Sequence, residues 1–356
     1  MDCDNKKNCI RFISVYVGIL LIISVTTLII DPYFHYHSPI DSESYILDSG
    51  KEYYINDGIL RNFDYDAFIT GSSVSMNFKT SQMDELFGVH AVKTPLSAAT
   101  WHETTELMDR AFEYNPKIRL VVRGIEHKQF EMDSDRDRFE WKPDYLYNNN
   151  SLDDVNYVLN KEVLLEDTIP TIAAIITHRP KTSFDEYLRS YTEHDPDRAN
   201  KTLNKYIEKR PDKMDEQVEE RILNTESVYH NLVQPAVDHP DVQFYYFFTP
   251  YSILYFDYIN QYGKLQNWLV AEKDLIEILI QYDNIHLFSL FDDTDLICDL
   301  NNYTDIAHFT GEINDYIMEE MASGNHRLTR ENYEEYCEKE WDFYTQYDYE
   351  SLFDSE

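Results

Sequence analysis

Ala67-Phe68-Ile69-Thr70-Gly71-Ser72-Ser73-Val74-Ser75-Met76 is the stretch whose reading decides the fold. Four apolar or β-prone residues too short for a helix, broken at once by glycine and paired serines, read as a buried strand that ends in a sharp turn. Glycine at 71 permits a backbone that other residues resist, and backbone amides just after such a turn can face a developing negative charge. A serine in this place is either a helix cap, the commoner job, or a nucleophile.

Working outward from that turn, strands alternate with helices. Ser81–Phe87 reads as a helix, His90–Lys93 as a second strand, Trp101–Tyr114 as a helix stopped by Asn115-Pro116, and Ile118–Ile125 as a third strand. The alternation resumes with Val242–Phe248, the densest β-branched and aromatic run, ended by Thr249-Pro250. Leu265–Tyr282 is an amphipathic helix, Ile285–Leu290 a last strand, and Ile313, Ile317 and Met321 mark a closing helix. The expected class is therefore α/β, a parallel sheet covered on both faces. Between about 127 and 240 the pattern gives way to polar helical stretches such as 200–210 and 214–223, an expected insertion punctuated by Pro143, Pro180, Pro196 and Pro211. Residues 326–356 read as an acidic, aromatic tail without periodicity.

In open sheets of this kind ligands bind beyond the carboxyl ends of the strands. Gly71-Ser72-Ser73 follows the first strand, and Tyr303-Thr304-Asp305-Ile306-Ala307-His308 follows the last. A serine with a histidine to take its proton and an aspartate to orient the imidazole is the minimum equipment for acyl transfer through a serine ester. Ser73, His308 and Asp305 are the candidate catalytic residues. His102, His127 and His286 suit core or surface positions, and no CxxC or His-rich spacing suggests zinc. No metal or cofactor is expected.

Ahead of this body lies an uncharged apolar run, Phe12–Ile30, long enough to cross the hydrocarbon core as one helix. Lys6, Lys7 and Arg11 precede it and Asp31 follows, so the positive-inside tendency leaves residues 1–11 in the cytoplasm and everything after Asp31 outside, beginning with a juxtamembrane connector over 31–60. A cleaved signal peptide fits less well, because the run is long and lacks a small-x-small site before Asp31. Cys298 and Cys337 would then face the exterior, where a disulfide between them is open. With 31 Lys plus Arg against 66 Asp plus Glu, the formal charge of −35 excludes nucleic acid and the anionic bilayer surface as partners of the body. Hydrophobic residues at 43% supply a full core rather than a disordered stalk.

The strand, the Gly71-Ser72-Ser73 turn, the α/β units and Asp305-Ile306-Ala307-His308 together resemble the SGNH, or GDSL-like, hydrolases over about residues 55–325. Within them the chain looks most like the membrane-anchored bacterial branch that includes the D-alanine transfer protein of teichoic-acid modification and the acetylation proteins of exported polysaccharides. The resemblance implies a three-layer α/β/α sandwich, SGNH or flavodoxin-like, over about 61–325, preceded by the membrane helix. It places the family's block I serine on Ser73 and its terminal pair on Asp305 and His308, and implies ester chemistry on an acylated glycan or teichoic acid, with a membrane-bound O-acyltransferase as a further partner. Two blocks depart from the family. The loop Pro95-Leu96-Ser97-Ala98-Ala99-Thr100 has no glycine, and Arg123-Gly124-Ile125-Glu126-His127 has glutamate where an asparagine is usual; a carboxylate cannot donate to an oxyanion unless protonated. The oxyanion site would rest on the turn of Gly71, the amide of Ser73 and one near Ser97.

Two functions from different classes are the candidates, the first expected ahead of the second. One is an extracytoplasmic serine esterase or acyltransferase. The other is a non-catalytic protein of the same fold that holds an acyl carrier or glycan for a membrane-bound acyltransferase.

Overall fold

The computed structural model describes residues 3–138, 142–148, 150–190, 194–215 and 222–353, with the side chains of 3–6 excluded. Two compact units divide it, one of Met1–Asp64 with Phe139–Ser183 and one of Tyr65–Arg138 with Phe184–Glu356.

The second unit holds one six-stranded sheet: β1 (Ala67–Thr70), β2 (Ala91–Lys93), β3 (Leu120–Ile125), β4 (Gln243–Phe248), β5 (Ile285–Phe288) and β6 (Arg327–Leu328), in the order β2-β1-β3-β4-β5-β6. The first five are parallel and β6 is antiparallel to β5. Pairings such as Phe68 with Val121 and Val121 with Phe244 align the strand centres. Alternation along β4 shows why both faces must be covered. Phe244 meets Phe112 of the helix Trp101–Tyr114 edge-on at 6.1 Å between centroids, whereas Tyr245, one residue on, meets Phe87 of the helix Thr80–Phe87 at 5.1 Å. Successive side chains thus bury against helices on opposite faces, which is the three-layer arrangement expected.

Local signals explain the best-read helix. Thr100 accepts from the Glu103 amide while the Glu103 carboxylate accepts from the Thr100 amide, a reciprocal cap at the start of Trp101–Tyr114. Asn115 ends it.

The carboxy-terminal segment corrects the expectation of a tail. After β6, the helix Tyr333–Gln346 packs along Leu265–Leu279, burying Tyr336, Glu340 and Tyr344. Tyr344 stacks on Phe256 at 3.7 Å and its hydroxyl donates to the Phe291 carbonyl; the Tyr336 hydroxyl meets Ser289 at 2.6 Å and reaches Glu272 at 3.4 Å. Burial drives the Glu272 and Glu340 carboxyls well above the ordinary range, which favours their neutral form among these aromatic rings. Cys298 and Cys337 are unpaired, each half-buried in its own surroundings, so no disulfide joins them.

The first unit carries the apolar helix, Cys3–Ile30, of which Lys7–Ile30 is long and apolar enough to cross a membrane with a mean hydropathy of 2.6. Asp31 ends it in a left-handed conformation (φ +46°), and its carboxylate accepts from the amides of His35, Tyr36 and His37 and from the Tyr157 hydroxyl. Residues 31–60, expected as a juxtamembrane connector, are folded: Gly58, in the helix Glu52–Asn62, lies so close to the Tyr33 and Phe34 carbonyls that any Cβ would collide with them. The region expected as a single insertion at 127–240 divides between the units, since 139–183 joins the apolar helix and 184–240 joins the sheet. The expected helix at 200–210 is Arg198–Ile207, and that at 214–223 falls mainly on 216–221, outside the described residues.

Candidate active site

The order β2-β1-β3-β4-β5 reverses direction at β1, because the chain leaves β1 for β2 on one side and returns to β3 on the other. Such a switch point opens a crevice at the carboxyl ends of β1 and β3. The Ser73 turn occupies it.

Gly71 takes φ +132°, a region closed to side chains, and the chain then winds into a short turn over Ser73–Ser75, with the Ser75 amide bonding the Ser72 carbonyl. A second glycine receives that turn. A Cβ on Gly124, in β3, would stand 2.8 Å from Ser75 Oγ and 3.1 Å from Phe247 Cζ. Three further bonds lock the turn: Asn314 Nδ2 donates to the Val74 carbonyl, and the buried Lys93 Nζ donates to the carbonyls of Met76 and Phe78. Lys93 is held down to about 7, chiefly by burial and secondarily by the Arg189 charge.

On the other side, Tyr303 and Phe309 pair as an antiparallel bridge whose loop carries Asp305 and His308. Thr310 bonds back to Asn302, Thr304 to His308, and both the amide and hydroxyl of Ser252 donate to the Ile306 carbonyl, tying this loop to the end of β4. Asp305 Oδ1 accepts from the amides of Ala307 and His308 at 2.9 and 2.8 Å, an Asx turn that orients its own carboxylate.

The two halves meet. Ser73 Oγ lies 2.9 Å from His308 Nε2, and His308 Nδ1 lies 2.9 and 3.1 Å from the two Asp305 oxygens. With the carboxylate accepting from Nδ1–H, Nε2 is left to accept the Ser73 proton. Burial alone would raise the Asp305 carboxyl, but the hydrogen bond and charge of His308, with the two backbone amides, hold it well below the usual carboxylate range. Asp305 is ionised wherever the protein is folded at ordinary pH. The His308 side chain is 33% exposed, so the crevice is open to a substrate.

Ser72 stands apart from this chain of bonds: it is buried, and its hydroxyl has no partner among the described residues. Its neighbour Ser73 is the serine brought to the histidine. Ser97 is exposed on the loop after β2, and that loop is bound to the Ser73 turn by the Leu96 amide donating to the Gly71 carbonyl at 3.0 Å. Where the resemblance leads one to look for glycine, Ala98 itself takes the left-handed conformation, φ +56°. At the end of β3, Glu126 is buried, accepting from the Tyr251 hydroxyl at 3.1 Å and pairing with Lys128 at 2.5 Å. His127 stacks on Trp268 at 4.1 Å in the core, and His286 meets Gln243 at 2.7 Å. Neither joins the site.

Sequence reasoning missed Lys205, whose ammonium lies 3.8 Å from Asp305 Oδ2; it stands on the helix Arg198–Ile207, a hundred residues away, and carries no local signal. It also missed Gly124 and Asn314, whose roles are visible only once β1, β3 and the last helix, Gly311–Ser323, are adjacent.

No family model matches the chain, and no curated protein matches it. Among solved structures the fold is similar to a chain described as "a putative platelet activating factor from Streptococcus pneumonia", at 14% identity over 77% of this chain and 91% of that one, with a TM-score of 0.36. A likeness of that extent bears on no activity.

Proposed function

We propose that the chain is a membrane-anchored serine esterase or acyltransferase working on O-acyl groups of a cell-envelope glycan or teichoic acid outside the membrane. The observation that carries the proposal is the unbroken path Ser73 Oγ–His308 Nε2, His308 Nδ1–Asp305 at the switch point of the sheet. Its chemistry follows from the donors. His308 Nε2 takes the Ser73 proton as Oγ attacks the acyl carbonyl, and returns it to the leaving alcohol; the acyl group then passes from Ser73 to a hydroxyl of the acceptor or to water. Asp305, ionised, keeps Nδ1 protonated throughout and stabilises the imidazolium. Amides of the Gly71–Ser73 turn and of the 95–100 loop are the nearest candidates to face the oxyanion, as Glu126 offers acceptors only. Orientation rests on Lys6, Lys7 and Arg11 before the apolar helix. A protease added to intact cells is expected to digest the body and leave the first thirty or so residues protected.

The second reading, a non-catalytic holder of an acylated carrier, is favoured by one observation, the buried Glu126 at the end of β3 in place of a donor. Reaction of the full-length protein with a fluorophosphonate separates the two, since only an activated serine labels.

A further inference from the structure

Beside Asp305 lies a cavity of about 400 Å³ walled by Lys205, Lys209, Tyr206, Tyr258, Asp305 and Ile306. We propose that it is a subsite for an anionic unit, a phosphate or carboxylate borne on a ring or polyol, of the polymer that the enzyme acts on. The inference rests on the triad reading for the word enzyme, but not for the binding site itself.

Thr202, also in the wall, gives its hydroxyl proton to the Tyr303 carbonyl, and Tyr206 gives its own to Asp257 at 2.7 Å, so each brings only its apolar part to the cavity. Both Asp305 oxygens are engaged by His308 and by backbone amides. The Tyr258 hydroxyl is hydrogen-bonded to Tyr262, which leaves two ammonium groups. Lys209 forms no ion pair or side-chain hydrogen bond among the described residues, and Lys205 stands at 3.8 Å from Asp305 and 3.4 Å from the Thr304 carbonyl, both long for a charged bond. Lys205 stands in the last turn of the helix Arg198–Ile207 and Lys209 in the turn that follows it, and both line the same cavity, so the two ammonium groups can reach one oxyanion. In a chain carrying −35, acidic partners for lysine are plentiful, yet these two are left facing a concavity. Lysine binds phosphate as a point charge, and tyrosine rings pack against the apolar faces of sugars and polyols. The volume suits one monomer unit rather than a chain. Because Asp305, which pairs with His308, forms part of the wall, a unit held here adjoins the candidate active site.

The test uses full-length Ser73→Ala protein in detergent, so that no turnover intervenes. Inorganic phosphate and glucuronate are titrated separately at constant ionic strength, following chemical shifts or heat. Saturable millimolar or tighter binding of either is expected, weakened about tenfold by Lys205→Ala and by Lys209→Ala, the loss of one charged hydrogen bond. Phosphate alone binding identifies a phosphodiester polymer, glucuronate alone an acidic glycan. Absence of saturation by both, or binding indifferent to both lysines, overturns the subsite. Failure of wild-type Ser73 to label with a fluorophosphonate would overturn the enzyme and leave these binding results standing, so the two failures are distinct.

Discussion

Adding one methyl group under the nucleophile turn is a sharp test of how the site is held. In Gly124→Ala the new Cβ meets Ser75 Oγ at 2.8 Å and Phe247 Cζ at 3.1 Å, where ordinary contact needs 3.4 Å or more. Phe247 is fully buried and edge-on to Phe78 at 5.3 Å, so it has little room to yield. The turn must move instead, by about half an ångström, and overpacking of this kind costs about 1–3 kcal/mol. Ser73 rides on that turn, two residues from Ser75. A shift of that size lengthens the 2.9 Å bond to His308, and misplacements approaching 1 Å cost up to about a hundredfold in rate. The expectation is a melting temperature lower by several degrees and fluorophosphonate labelling slowed by about tenfold or more. Ser75→Ala supplies the control. The Ser75 hydroxyl is buried without a partner, so removing it alone is close to neutral, and in Gly124→Ala/Ser75→Ala the 2.8 Å clash disappears while the Phe247 contact stays. Labelling should recover most of its rate in the double variant. Wild-type labelling and melting in Gly124→Ala, or no rescue by Ser75→Ala, would refute the claim that the two glycines seat the nucleophile.

Two other perturbations follow from backbone and burial. Ala98 in the left-handed region carries about 1–2 kcal/mol of strain that glycine lacks, so after glycine's greater entropy loss Ala98→Gly should stabilise by about 0.5 kcal/mol or more, read as a rise in melting temperature; a fall would show that the Ala98 side chain packs usefully. Lys93 titrates near 7 when folded but near ~10.4 when unfolded, so between those values the unfolded chain holds the extra proton and stability rises with pH, by up to ~1.4 kcal/mol per unit. The stability of wild type relative to Lys93→Met should climb from about pH 7 to pH 9; parallel curves would contradict the burial of a neutral amine.

How much of this was legible depended on how local each signal is. The helix Trp101–Tyr114 was readable to the residue because Thr100, Glu103 and Asn115-Pro116 mark its ends within the sequence. β1 and β4 were readable as apolar runs, and Ser73, Asp305 and His308 were singled out as a serine just past β1 and a histidine and aspartate in the loop region after the last parallel strand. The helix Tyr333–Gln346 was hidden because the positions it buries include Glu340, which hydropathy assigns to solvent, and β6 because two residues make no pattern. The division of 127–240 between two units depends on contacts across more than a hundred residues, such as the Tyr157 hydroxyl on Asp31. Left-handed Ala98 carries no marker, since the residue that would announce it is glycine.

The central claim is that His308 activates Ser73 and Asp305 orients His308. Its most direct test is fluorophosphonate labelling of the full-length protein with the adduct located by peptide mass spectrometry. The account predicts an adduct on Ser73, lost in Ser73→Ala and in His308→Ala without loss of the fold, reduced less in Asp305→Asn, and retained in Ser72→Ala, with the Ser73 and His308 losses not adding in the double variant. A folded wild-type protein that takes no label, or an adduct on Ser72, would contradict it.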